Sequence, residues 1–157
     1  MAEYQPPQHA IFFTSDSVGD HKGRVWQSML ADGSVSDEWL ERHHDYIQWW
    51  FPLMERSTCS FFAPVLSKDD LLWMHKHAEV AQSQIVLAER MKRFYADNDY
   101  WLCHYDHNHL RITRIIKSLR LIVGDEYADE WKSWLWSRMG NSVDVISLKA
   151  ISFWKAA

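Results

Sequence analysis

Apolar side chains recur every three to four residues along most of the chain, and this spacing places them on one face of a helix. The clearest case covers residues 108–123, where one apolar stripe runs through the segment and Gly124 ends it. That stripe consists of Ile112, Ile115, Ile116, Leu119 and Ile122. The same periodicity predicts helices over residues 24–31, 36–50 and 78–95, one from residue 67, and two after Gly124 separated by Asn141 and Ser142. The pattern leaves open whether residues 67–95 form one bent helix or two.

Capping residues support these boundaries. Ser36 and Ser67 suit helix N-caps, because a serine hydroxyl accepts hydrogen bonds from the free N–H groups of the first turn. Asp125 is expected to cap the helix that follows Gly124 in the same way. Pro52 ends the helix before it, since the residue preceding a proline disfavours helical geometry.

Two segments lose the helical pattern. Residues 53–66 are interrupted by serine, threonine and proline, and predict a loop that packs through Phe61 and Phe62. Residues 1–21 predict an irregular lead-in with one hydrophobic plug at residues 11–13. We therefore expect the domain itself to span residues 22–157.

The scarcity of helix-breaking residues decides the fold class. The 157 residues include only 5 glycines and 4 prolines, too few for the many turns of a sandwich or barrel. We predict an all-α fold, a single compact helical domain of about five to seven helices with a tryptophan-rich core. The alternative for the 10 tryptophans is that some line a ligand pocket. The candidates for that role are Trp26, Trp49, Trp50 and Trp73.

Net charge, cysteine spacing and the absence of long apolar runs limit the partners and the cellular location that we expect. A net charge of −4 excludes the generally electropositive surface of a nucleic-acid binder, so we expect no nucleic-acid partner. Cys59 and Cys103 lie in different segments without CxxC spacing, which fits a reducing compartment better than a disulfide framework and favours a cytoplasmic location. The N-terminal residues lack a secretory pattern and no run of about 18 apolar residues occurs, so we expect neither export nor a membrane span.

Histidines are frequent, and three of them, His104, His107 and His109, are closely spaced. A tetrahedral zinc ion usually takes three or four ligands from two separated elements. The three closely spaced histidines would therefore need a further ligand from a distant part of the chain. The candidates for this additional ligand are His43, His44, His75 and His77. No established zinc motif is present, and we predict no metal and no cofactor.

A polar stripe on the helix at residues 108–123 is the strongest candidate for chemistry. His107, Arg111, Arg114 and Ser118 follow one another along it, while the segment at residues 32–45 is mainly acidic. In one interpretation, Asp45 and His44 meet Arg111 or Arg114 in a structural network that fixes helix packing.

Two functional interpretations compete with that network. Arg111 and Arg114 would bind an anionic or peptide ligand in a cleft with Trp49 as its aromatic wall. A hydrolase would instead use Asp45 with His44 or His107, but neighbouring residues on one helix point in different directions and no nucleophile is evident. We therefore expect a non-enzymatic protein.

Three segments resemble the N-terminal conserved domain of the opioid growth factor receptor family. They are DHKGR at residues 20–24, HDYIQWWFPL at residues 44–53 and HNHLRITRIIKSL at residues 107–119. The second and third are long and specific, and all three occur in the family's order. The resemblance spans about residues 11–125, with a departure at Trp50, where the family usually has a smaller aliphatic residue.

The resemblance implies a receptor-like module that binds a peptide, and the two arginines add a small anionic ligand as the other candidate. Animal members are described as receptors for the opioid peptide methionine-enkephalin, are associated with the nucleus and with membranes, and carry long C-terminal regions that include repeats. By analogy, peripheral membrane association is conceivable, and this shorter chain is similar to stand-alone bacterial members. The alternatives are an anion-binding or hydrolytic enzyme with a His/Asp/Arg cluster, or a purely structural interaction domain. The candidate ligand-binding residues are His44, Asp45, Gln48, Trp49, His107, Asn108, Arg111 and Arg114.

Overall fold

A computed structural model describes residues 3–58 and 60–157, so Cys59 lies outside the described residues. Within them the all-α prediction is confirmed, because the only β-type pairing is one isolated bridge between Leu53 and Val65. The α-helices in chain order are α1 Gln8–Ile11, α2 Trp26–Ala31, α3 Asp37–Arg42, α4 Ile47–Trp50, α5 Lys68–His75, α6 Ala78–Asp97, α7 His107–Ile122, α8 Asp125–Met139 and α9 Leu148–Ala156. A 3-10 helix, Gly140–Val145, connects α8 towards α9.

The structure contains more helices than expected, because short ones form in segments assigned to loops or to longer helices. The single helix predicted at residues 36–50 is wrong: α3 ends at Arg42 and α4 begins at Ile47. Ser36 caps α3 as expected, but His43 has an extended backbone and stacks on Trp39 with ring centroids 4.4 Å apart. Asp45 therefore lies in a turn between two helices.

The long stretch at residues 67–95 resolves into two helices. Ser67 forms a capping box at the start of α5: its Oγ accepts from the backbone N–H of Asp70, and the Asp70 carboxylate accepts from the backbone N–H of Ser67. Lys76 and His77 separate α5 from α6. This leaves α6 as the longest helix described.

The chain divides into two compact units, Met1–Gln84 and Ile85–Ala157, and the boundary falls inside α6. In the first unit the predicted hydrophobic plug is confirmed, since Phe12 and Phe13 are buried and Phe12 packs edge-on against Trp49. In the part of the chain that the structure describes, no helix forms between α4 and α5, as predicted for residues 53–66, but Phe61 and Phe62 are 95% and 72% exposed, so burial of these two rings was wrongly expected. A two-aromatic motif did not indicate burial there.

In the second unit, α7 packs against α8 and α9. The apolar stripe of α7 is buried as predicted. Three fully buried tryptophans complete this core, and each indole N–H donates to a backbone carbonyl, which satisfies the polar end of a large apolar ring. The pairs are Trp101 with Asn98, Trp131 with Ala88 and Trp154 with His109. No described helix combines the length and apolar character needed to cross a bilayer.

Candidate functional site

The DHKGR segment folds into a tight loop around one carboxylate. Asp20 is buried, and its Oδ1 accepts from the backbone N–H groups of Lys22 and Arg24 at 2.9 and 3.1 Å. Gly23 has a φ of 72°, a left-handed conformation that favours glycine. A side chain at Gly19 would place its Cβ 2.4 Å from the carbonyl carbon of Gly23. The local sequence is therefore explained by the geometry of the loop.

Arg24 links this loop to Asp45 within the first unit. Its Nε donates to Asp20 Oδ2 at 2.7 Å, and its Nη1 donates to Asp45 Oδ1 at 3.0 Å. Lys22 Nζ lies 2.5 Å from the other oxygen of Asp45. Partial burial disfavours the Asp45 carboxylate, but hydrogen bonds from Lys22 and Arg24 outweigh it and lower its pKa to about 2. We call these four residues, Asp20, Lys22, Arg24 and Asp45, the ion cluster.

His21 extends the ion cluster towards the aromatic core. Its ring lies between Trp49 and Phe62, nearly parallel to both, with centroids 6.0 and 5.7 Å away. Its Nε2 is 3.4 Å from Asp45 Oδ2. Among the described residues, His21 Nδ1, Arg24 Nη2 and Trp49 Nε1 are buried without a hydrogen-bond partner.

The predicted site residues are distributed over both units. In the first, His44 is exposed, Gln48 and Trp49 are buried, and Asp45 belongs to the ion cluster. The sequence analysis did not anticipate the roles of Asp20, Lys22 and Arg24, although their motif was recognised. Three charged residues within five positions, preceded by Gly19 and interrupted by Gly23, are the pattern that could have identified this loop.

In the second unit the predicted residues separate into buried and exposed ones. Asn108 and Arg111 are buried, and Arg111 Nη1 donates to Asn108 Oδ1 at 3.2 Å. Arg114 is half-buried, and His107 is exposed at the start of α7. Burial and mutual bonding of Asn108 and Arg111 favour the structural interpretation for that pair. The pairing of Asp45 with Arg111 or Arg114 stays a prediction.

A groove of about 430 Å³ lies within the second unit, where α7 and α9 begin side by side. Asp106 caps α7 by accepting from the backbone N–H of Asn108 at 2.8 Å, and Ser147 caps α9 through Ala150. The two starts are tied together because the backbone N–H of Ser147 donates to the carbonyl of His104 at 3.2 Å. The groove is lined by Tyr105, Asp106, His107, His109, Leu110, Thr113, Ser147, Lys149, Ala150 and Phe153.

Exposed apolar groups dominate this groove, which we call the α7–α9 groove. Leu110 is 65% and Phe153 43% exposed, and Tyr105 is also exposed. The Lys149 Nζ lies 5.9 Å from the centroid of the Phe153 ring, a cation–π distance. The volume and mixed lining are typical of small-molecule sites, which combine apolar walls with a few polar groups. Of the eight predicted residues, only His107 lines it.

The closely spaced histidines have other partners in the structure. His109 is buried and its Nε2 is 2.8 Å from the carbonyl oxygen of Trp101. His104 Nδ1 lies 3.3 Å from the carbonyl oxygen of Val145. Across residues 3–58 and 60–157, no three histidine, cysteine or acidic side chains are grouped to hold a metal ion.

Comparison with known proteins identifies relatives of this chain. The model of the opioid growth factor receptor (OGFr) conserved region matches residues 11–99. Opioid growth factor receptor of Rattus norvegicus is 29% identical over 126 residues, covering 69% of this chain and 22% of that protein. Opioid growth factor receptor-like protein 1 of Xenopus tropicalis is 33% identical over 99 residues, covering 52% of this chain and 19% of that protein. No solved structure matches.

The family model matches a shorter stretch than the resemblance spans. The match of that model ends at residue 99, so the motif at residues 107–119 and the α7–α9 groove lie outside it, and the expected range of about residues 11–125 stays a prediction. The chain also spans only about a fifth of the length of the curated relatives it matches. The matched range includes the loop at residues 20–24 and the turn that carries Asp45, and it covers more than half of the chain. The chain belongs to the family defined by the opioid growth factor receptor conserved region.

Proposed function

We propose that this chain is a non-enzymatic, receptor-like binding module whose small ligand occupies the α7–α9 groove. The observation that carries this proposal is the groove itself, open to solvent and walled by exposed Leu110 and Phe153. Such apolar side chains are costly to leave in water, and a ligand that covers them recovers about 25 cal/mol for each Å² of apolar surface removed. The names of the relatives, which describe receptors, agree with a binding role.

The ion cluster supports the non-enzymatic part of the proposal. A hydrolase that used Asp45 itself as general base would need its carboxylate to take up a proton near neutral pH. Lys22 and Arg24 hold Asp45 ionised, with a pKa of about 2, so this carboxylate is a weak base. His44, the other half of the suggested pair, is exposed beside it rather than enclosed in a cleft.

Fluorescence titration with Nile red, a neutral apolar dye, tests the groove directly. Leu110→Trp fills the space between the two helix starts with a larger, mainly apolar side chain. We expect the unmodified protein to enhance Nile red emission saturably and the variant to lose most of that enhancement. The matched control is Leu72→Trp on α5, because Leu72 is similarly exposed at 58% and lies in the first unit.

Nile red also adsorbs to other exposed aromatic side chains, so Phe61→Ser is included to remove the most exposed one. The proposal requires Phe61→Ser and Leu72→Trp to retain saturable binding. If Leu110→Trp binds the dye as well as the unmodified protein does, the groove is not the binding site and the proposal is wrong.

A further inference from the structure

We propose that the α7–α9 groove selects a small apolar monocarboxylate, with its carboxylate at Lys149 and its apolar part against Leu110 and Phe153. This inference rests on the proposed function and adds the chemical class of the ligand. The lining supplies one lysine and a run of apolar surface, which together match a molecule with one anionic end and one apolar end.

The charge at Lys149 is the first argument. Lys149 is exposed, and among the described residues its ammonium group contacts the ring of Phe153 but forms no ion pair. Other basic side chains of the second unit form ion pairs. Arg120, for example, pairs with Asp125 and Asp129. An ammonium group held over an aromatic ring at the edge of an apolar groove is positioned to receive a carboxylate.

The one acid of the lining does not compete for this role. Asp106 uses its Oδ1 to accept from the backbone N–H of Asn108 at the start of α7. A carboxylate at a helix N-terminus is stabilised by the positive end of the helix, which offsets its negative charge. Asp106 is therefore committed to capping, and Lys149 provides the unpaired charge of the groove.

The apolar wall is the second argument. Leu110 and Phe153 come from different helices, and Ala150 lies on α9 beside them. Because Ala150 is small and buried, it forms a floor rather than filling the groove. A short alkyl or aryl chain can lie on this floor while its carboxylate remains near Lys149 and solvent.

The test compares octanoate with octanol, which share a chain length and differ in the charge of one end. Each competes with Nile red for the unmodified protein, Lys149→Gln and Lys155→Gln. Lys155 is the matched control, since it is an exposed lysine on the same helix that does not line this groove. We expect octanoate to bind more tightly than octanol, and Lys149→Gln to reduce that preference about two- to fivefold, the range of an exposed ion pair. Lys155→Gln should leave the preference unchanged.

The outcomes separate the two proposals. If octanol and octanoate both displace the dye and Lys149→Gln leaves their ratio unchanged, the carboxylate inference is wrong and the binding function stands. If a blocked apolar peptide displaces the dye and octanoate does not, the ligand is a peptide and the inference is again overturned. If none of these compounds displaces the dye and Leu110→Trp binds it normally, the proposed function itself fails.

Discussion

The ion cluster and the α7–α9 groove use charged side chains in opposite ways. In the ion cluster, the two carboxylates of Asp20 and Asp45 are each bonded to Arg24, and Lys22 adds a further contact. In the groove, Lys149 has an aromatic ring as its partner and apolar side chains around it. The cluster joins a loop to a turn, whereas the groove leaves its polar group available to a ligand.

This contrast separates motif specificity from function. The loop at residues 20–24 and the turn at Asp45 lie within the matched family region, and their residues are largely accounted for by contacts within the first unit. The groove lies beyond that region. A distinctive motif such as DHKGR can therefore reflect the contacts that stabilise a loop. The groove, by contrast, forms where the first residues of α7 and α9 lie side by side.

The largest expected effect tests the claim that the DHKGR loop is structural. Gly19→Ala should lower the free energy of unfolding by about 3 kcal/mol, because its Cβ would lie 2.4 Å from backbone atoms that cannot move independently. Gly33→Ala is the control, since Gly33 has open space around it and a φ of 76°. Its cost should be about 1 kcal/mol, from the left-handed conformation alone. Urea unfolding monitored by circular dichroism measures both, and equal losses would contradict the close-approach argument.

The next effect concerns the buried carboxylate of the ion cluster. Asp20→Ala should destabilise the chain by about 2–3 kcal/mol, because Arg24 and two backbone N–H groups lose a charged acceptor. Glu38→Ala is the comparison, since Glu38 pairs with Arg42 one helical turn away and both are exposed. Its loss should stay below about 0.5 kcal/mol. Similar losses in the two variants would show that the ion cluster contributes no more than a surface pair.

A smaller, pH-dependent effect is expected from Asp45. Its pKa falls from 3.8 to about 2 on folding, so its ion pairs stabilise the protein above pH 3.8 and this contribution disappears as the pH falls towards 2. Asp45→Asn should therefore cost about 1 kcal/mol at neutral pH and progressively less between pH 4 and pH 2. Parallel urea unfolding of both proteins across that range measures the difference. A difference that stays constant down to pH 2 would contradict the assigned pKa.

The smallest effect on stability is expected in the groove. Leu110→Trp should change the free energy of unfolding by less than about 0.5 kcal/mol, because the Leu110 side chain is 65% exposed. The same variant should lose ligand binding, which separates the groove from the ion cluster. Thermal unfolding with and without Nile red measures both properties. A strongly destabilised Leu110→Trp would mean that the groove is part of the packed core.

Much of the fold could be predicted from the sequence, because helical periodicity reports burial directly. The stripe of α7 and the N-cap at Ser67 both depend on residues close together in the chain. The break between α3 and α4 was missed because stacking of His43 on Trp39 competes with a helical pattern that otherwise continues. The unit boundary inside α6 has no linker to mark it.

The candidate site was harder to predict, since its parts are distant in sequence. Lys149 and Phe153 are spaced to meet on one helix, but nothing local places them beside Leu110. That neighbourhood depends on Ser147 bonding to the carbonyl of His104, a contact across 43 positions of the chain. The opposite charges of residues 32–45 and of α7 suggested Arg111 or Arg114 as the partner of Asp45. They did not identify Lys22 and Arg24, whose contacts with Asp45 also join distant parts of the sequence.

Amide NMR with octanoate tests the central claim most directly, because it locates binding residue by residue in the intact chain. The account predicts that shifts concentrate on Leu110, Lys149 and Phe153, which line the α7–α9 groove, and that the amides of Lys22 and Arg24 remain unchanged. Shifts centred on Lys22 and Arg24, with the groove unaffected, would contradict the account and make the ion cluster the ligand site.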